Sequence, residues 1–102
     1  MTTPEQDHLQ RLSSEFGRRI REHREEHELT QEAAAIMTGI SITTYQKIEQ
    51  GTRMPRLENV VKLIHGLKID PAVLFLGLGK LIPTTSQVAV PGRRRRLRQS
   101  RA

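Results

Sequence analysis

The stretch TQEAAAIMTGISITTYQKIEQG, Thr30 to Gly51, decides the fold. Thr30 is a good N-cap for a helix over Gln31 to Thr38, whose first turn carries Gln31 and Glu32, residue types that suit the exposed amides there. Gly39 stands where that helix stops, because a residue without a side chain can take the left-handed conformation that turns the chain sharply. Ser41 caps a following helix, Ile42 to Gln50, and Gly51 ends it. Tyr45 and Ile48 share one face of that helix, while Thr43, Gln46, Lys47 and Gln50 point the other way. Two short helices joined by a glycine-bearing turn, the second presenting polar groups outward, form a shape that a DNA major groove of about 12 Å admits. The preceding helix then turns its N-terminal amides toward phosphate.

Upstream, Leu9, Leu12, Phe16 and Ile20 recur at spacings of three and four, which puts them on one helical face. Thr3-Pro4-Glu5-Gln6 reads as the start of that helix, with Thr3 and Gln6 as a capping box and Pro4 in the first-turn slot. Gly17 costs about 1 kcal/mol relative to alanine, and Ser13-Ser14 offers a competing start, so one long helix and two short ones both stay open. His27-Glu28-Leu29 ends the segment. Downstream of the loop Thr52-Arg53-Met54-Pro55, a fourth amphipathic helix carries Leu57, Val60, Val61, Ile64 and Leu67 on its apolar stripe. Asp70-Pro71 caps a short fifth helix that runs to about Leu76. Gly77 and Gly79 then loosen the chain, and Leu81-Ile82-Pro83 and Val88-Ala89-Val90 are apolar patches on either side of Thr84-Thr85-Ser86. That stretch is a flexible linker or a clip ordered against another surface.

With 102 residues the chain holds one domain's core. Apolar residues make up 35% and aromatics 3%, with no Trp, so the core is aliphatic and suits helix on helix. The absence of Cys excludes disulfides, thiolate zinc sites and cysteine nucleophiles. The longest apolar stretch, Val73 to Leu78, is far below the roughly 20 residues that span a bilayer, and Met1 opens a polar segment. The expectation is a cytoplasmic chain without a membrane partner. Of 17 bases, six are Arg93, Arg94, Arg95, Arg96, Arg98 and Arg101, and the remaining 11 match the 11 acids. The body is therefore neutral, and the net charge of +6 belongs to a tail expected to be disordered, suited to sequence-blind attraction to phosphate.

From Phe16-Gly17-Arg18-Arg19-Ile20-Arg21 through Leu29-Thr30-Gln31-Glu32, Ala35, Gly39-Ile40-Ser41, Ile48-Glu49-Gln50-Gly51 and Pro55 to Leu67, Ile69 and Leu74, the sequence resembles the Cro-and-repressor (XRE-type) helix-turn-helix regulators. The resemblance implies an all-α, compact five-helix bundle with Ala34, Ala35, Thr38, Ile40, Tyr45 and Ile48 at the packing positions of the motif. It implies a phosphate-touching Gln31, a recognition helix opened by Ser41, and Ile42, Thr43 and Lys47 facing bases, with Gln46 beside them. Gln50 and Arg56 match phosphate contacts, and Arg53 is added to them from the same loop. Arg24 and Glu49 match a pair that bridges the first and third helices, a structural role. Two departures stand out: Ile36 and Met37 occupy positions usually polar in the family and either face a partner or pack under the N-terminal extension, with packing the favoured expectation, and Tyr45 replaces an aliphatic core residue with its hydroxyl expected at the rim.

Residues 1–12 are expected as a helical extension, 13–77 as the DNA-binding domain, 78–90 as a linker or dimerisation segment, and 91–102 as the basic tail. The function this implies is sequence-specific binding of a roughly palindromic duplex by a homodimer that regulates transcription, without catalysis, cofactor or metal. The rival reading is an antitoxin or adaptor whose main partner is another protein, met through 78–90. His23-Arg24-Glu25-Glu26-His27 fits the H-x-x-E-H pattern of zinc proteases, but with no third ligand or cleft evident it reads as a solvated helix face.

Overall fold

The computed structural model describes residues 4–83, with side chains from Asp7 onward. The capping box at Thr3 to Gln6, the valine patch at 88–90 and the arginine run all lie outside the described residues. One unbroken helix, α1, spans Pro4–Glu26. The two-helix alternative is thereby closed: Ser13 and Ser14 sit in mid-helix, the first buried and the second exposed. The helix ends where Glu28 takes a φ of 56° and the Leu29 amide donates back to the Arg24 carbonyl at 3.1 Å.

Local capping then sets the next two helices where the sequence put them. The Ala33 amide donates to Thr30 Oγ1 at 3.0 Å, opening α2 (Gln31–Thr38), and the Thr44 amide donates to Ser41 Oγ at 3.2 Å, opening α3 (Ile42–Gln50). Between them Gly39 has φ 73°, a conformation open to glycine at no steric cost. Helix α4 runs Leu57–Leu67 and closes on Lys68 in the left-handed region. Asp70 accepts from the Ala72 amide at 2.9 Å, and Pro71 occupies the first position of α5 (Pro71–Phe75), one residue shorter than the sequence suggested. A 3₁₀ turn, Leu78–Leu81, follows. The described residues thus form an all-α bundle of five α-helices.

Helix α1 packs on α3, α5 and the 3₁₀ turn, while α2 packs on α3 and α4. Ile20, Ala34, Tyr45, Ile48 and Leu63 are fully enclosed at the centre, and Phe16, Leu67, Leu74 and Leu78 close around them. Each large aliphatic side chain so enclosed contributes about 1.5–3 kcal/mol relative to exposure. All six motif packing positions, including Thr38 and Ile40, are buried.

Several apolar residues face outward instead. Ile36 is 81% exposed and Met37 is 47% exposed, which corrects the expectation that they pack. The cause is angular: Ala34, Ala35 and Thr38 already fill the one face of α2 that meets its neighbours, and positions 36 and 37 rotate away from it. Leu9 on α1 is also exposed, as are Leu57 and Val61 on α4, where Leu63 and Leu67 with half-buried Val60 and Ile64 occupy the surface that the bundle covers.

Close approach of α1 to α3 explains the mid-helix glycine. A Cβ added at Gly17 would lie 2.2 Å from the Ile48 carbonyl oxygen and 2.7 Å from that of Glu49. Gly66 of α4 meets the Met37 carbonyl oxygen of α2 in the same way, at 2.5 Å. Chemical denaturation should show Gly17→Ala losing about 1–3 kcal/mol or more, since the obstacle is backbone. Gly79→Ala, with nothing within 4 Å of the added carbon, should stay within about 0.5 kcal/mol.

Candidate nucleic-acid interface

Helix α3 divides cleanly around its axis. Tyr45, Ile48 and Glu49 are buried against the bundle, Ser41, Ile42, Thr43, Lys47 and Gln50 are exposed, and Gln46 is half-buried between the two sets. Gln31, first residue of α2, is half-buried beside this face, and Arg53 and Arg56 are exposed on the loop that follows. The surface therefore carries hydroxyl, amide, ammonium and guanidinium donors around one exposed helix.

Side-chain amides tie α2 to α3. Gln46 Nε2 donates to Gln31 Oε1 at 3.2 Å, and Gln31 Nε2 donates to Glu49 Oε1 at 3.1 Å. An amide nitrogen has two protons, so Gln46 keeps one N–H and its carbonyl oxygen for an outside partner. Ser41 Oγ, engaged as acceptor at the helix start, keeps its proton to donate. The Gln31–Gln46 link was not visible in the sequence, because no helical or strand period relates two residues on separate helices.

Beneath that link, Arg24 Nε donates to Glu49 Oε2 at 2.6 Å and Nη2 to Oε1 at 3.0 Å, while Nη1 donates to the Leu29 carbonyl at 2.8 Å. The side chains are 12% and 2% exposed, so this is a buried pair. Burial alone would raise the Glu49 carboxyl, but Arg24, the neighbouring Tyr45 hydroxyl and Gln31 outweigh it and hold the group below its ordinary value. The Arg24 guanidinium is correspondingly raised, chiefly by its hydrogen bond to Glu49. Tyr45 is wholly enclosed, which corrects the expectation of a hydroxyl at the rim. Its oxygen makes no hydrogen bond among the described residues, and burial followed by the nearby Glu49 carboxylate pushes its ionisation up.

On the opposite side of α1, Arg18 Nη2 at 2.7 Å and Arg19 Nε at 2.8 Å both donate to Glu15 and lower its carboxyl to about 2. Arg19 also donates to the Leu74 carbonyl at 2.8 Å, tying down the end of α5. His23 and His27 stack with centroids 4.2 Å apart. Each spends one ring nitrogen on backbone: His23 Nε2 on the Leu67 carbonyl and His27 Nδ1 on that of His23, both at 2.8 Å. Among the described residues no group of three metal-ligating side chains gathers, and no helix is long and apolar enough to cross a membrane.

A helix-turn-helix whose second helix is packed on one face and exposed on the other defines a class of DNA-binding transcription regulators, and residues 20–74 match the helix-turn-helix family profile. The chain belongs to that family, in its Cro-and-repressor (XRE) branch. Among solved structures it is similar to the restriction-modification controller protein C.AhdI from Aeromonas hydrophila. The likeness has 36% identity and a TM-score of 0.59, and covers 62% of this chain and 96% of that one. No curated protein matches the chain.

The Glu49 carboxyl binds its proton less tightly in the folded chain than at its ordinary 4.5. Its contribution to stability is therefore complete above that value and drains away as pH falls through the folded one. Thermal melts should show a midpoint that drops below about pH 4.5, and Glu49→Gln should flatten that acid limb, leaving the shallower part due to Glu15. Glu49→Ala, which strands Arg24, should cost about 3–5 kcal/mol in denaturant titrations.

Proposed function

We propose that the chain is a sequence-specific double-stranded DNA-binding regulator, not an enzyme and without a cofactor, that inserts α3 in the major groove. The observation that carries this is the outward row Ile42, Thr43, Gln46 and Lys47 on a helix whose other face is locked into the core. Lys47 reaches guanine O6 and N7, Gln46 offers an adenine its remaining amide proton and oxygen, Thr43 serves a polar edge or a methyl, and Ile42 packs on a thymine methyl. Gln31, Ser41, Gln50, Arg53 and Arg56 hold phosphates on either side and so set the register of the helix. Arg93, Arg94, Arg95, Arg96 and Arg98 add affinity with no choice of sequence.

The regulator acts as a homodimer with its two α3 helices in successive major grooves, about 34 Å apart, on a roughly palindromic operator. Two features support this. A neutral body offers few phosphate contacts per copy, so pairing multiplies them on one duplex. The exposed Leu57 and Val61, one turn apart on α4, leave an apolar edge that no described residue covers. The consequence is repression in the cytoplasm by occupying a promoter, and the likeness to a controller protein supports a regulatory role. The 81% exposure of Ile36 favours a second reading, in which α2 also meets another protein, as in an antitoxin or adaptor.

Selection of bound duplexes from random DNA should return a two-fold symmetric site. Lys47→Ala should change the preferred base at one position per half-site, by about 1–3 kcal/mol of discrimination, whereas Arg56→Ala should lower affinity for all sequences together. Equal losses at every site from both substitutions would remove α3 from the role of reader. Truncation after Val90 should weaken binding to every duplex alike and reduce the slope of log affinity against log salt.

A further inference from the structure

The first half of α1 lies along the chain that leaves α3. Gln10, Ser13, Ser14 and Gly17 recur at spacings of three and four, so they share one face of the helix. Gly17 on that face lets α1 approach the Ile48 and Glu49 carbonyls. One turn toward the N-terminus the backbone is as close to Gly51, where an added Cβ would lie 2.7 Å from Ser14 Cα. A further turn on, Gln10 Nε2 donates to the Gly51 carbonyl at 3.1 Å and to Ser14 Oγ at 3.1 Å, one proton for each. Beside it, Ser13 Oγ donates to Met54 Sδ at 3.7 Å. These residues all precede position 20, where the match to the family begins.

The Gly51 contact completes a clamp. A peptide unit is planar, so its carbonyl and the following N–H turn together. In the Gly51–Thr52 unit the carbonyl accepts from Gln10, while the Thr52 amide donates to the Lys47 carbonyl at 3.1 Å. The plane is held at both ends, and Arg53 is the next residue. On its other side Met54 meets the buried Ser13, so Arg53 stands between two points at which α1 holds the loop. Thioether sulfur is a weak acceptor, which leaves Gln10 the greater share. Arg53 is exposed, and its guanidinium has no hydrogen-bond or ion-pair partner among the described residues. Arg11, Arg18, Arg19 and Arg24 of α1, by contrast, each pair with a carboxylate. A free charge on a loop already held in place loses less conformational freedom when an anion binds it.

We infer that Gln10 is a positioning residue for phosphate binding: by fixing the Gly51–Thr52 peptide it sets the direction in which Arg53 leaves the loop. No atom of α1 needs to touch the duplex for this. Because Gln10 acts on the loop and not on the outward side chains of α3, it raises affinity without choosing sequence. The clamp stands on its contacts alone, while its use rests on the reading of Arg53 as a phosphate contact proposed above.

Amide hydrogen exchange on the full chain without DNA reads the clamp. Gln10→Leu should speed exchange of the Thr52 amide several-fold and leave that of Ala33, at the start of α2, unchanged; an unaltered Thr52 rate would overturn the clamp. Gln10 is exposed, so the variant should melt within about 4 °C of the unsubstituted chain. A larger drop would make Gln10 a residue of general stability and overturn the positioning role. Binding to a mixed-sequence duplex and to the site returned by selection should weaken alike, by about 2–10-fold, the worth of one hydrogen bond. In an Arg53→Ala background the same substitution should cost less than about 1.5-fold, because no guanidinium is left to aim. An equal loss with and without Arg53, or an unchanged affinity, would overturn the aiming of Arg53. A chain that bound no duplex at all would remove the phosphate reading and the use of the clamp with it, while the exchange rates still decided the clamp itself.

Discussion

Two charges removed from water, Arg24 and Glu49, govern the geometry of everything around them. Neither is tolerable alone in that position, since a buried ion without its partner costs several kcal/mol. Each therefore has to be met, and the groups that meet them come from four places: the last turns of α1, the loop carbonyl of Leu29, the first residue of α2 and the last turn of α3. Replacing such a pair by apolar side chains is often neutral for stability. What the pair supplies is registry, because both oxygens of Glu49 are claimed in fixed directions and the helices that carry the claimants cannot slide. Gln46, hydrogen-bonded to Gln31, brings that constraint out to the surface where the helix faces the solvent.

The parts of this arrangement written locally in the chain were legible from the sequence. Thr30, Ser41, Asp70, Gly39 and Gly51 act on backbone within a few residues, so the bounds of α2 and α3 followed from them directly. The buried side of α3 followed from the spacing of Tyr45 and Ile48. What stayed hidden depends on which neighbour covers a given face. Periodicity says that α4 has an apolar stripe, but not that the bundle covers only the Leu63 and Leu67 half of it and leaves Leu57 and Val61 outside. The same lack of a partner leaves Ile36 and Met37 in the open. The depth of Tyr45 escaped for a related reason, since a phenol fits either a rim or a centre and only the closeness of α1 decides between them.

Charge and shape are divided between separate parts of the chain. The described helices carry ion pairs such as Glu15 with Arg18 and Arg19 within α1, and Arg19 also ties down the end of α5. The excess of arginine lies beyond them in sequence. A body of this kind has little long-range pull on a polyanion, so in the proposed reading choice of sequence and attraction to phosphate belong to separate parts of the chain, one sensitive to base order and the other to ionic strength.

The contact at Gly17 has a consequence for how such a molecule changes over generations. Because α1 rests on the carbonyls of Ile48 and Glu49 and not on their outward neighbours, the tilt of the third helix is a property of main chain. Ile42, Thr43 and Lys47 on its free side can be exchanged without moving the mount that holds them. If α3 reads bases as proposed, a lineage built on this frame acquires new target sites by rewriting a few letters, while its scaffold stays under an unrelated and much stricter constraint.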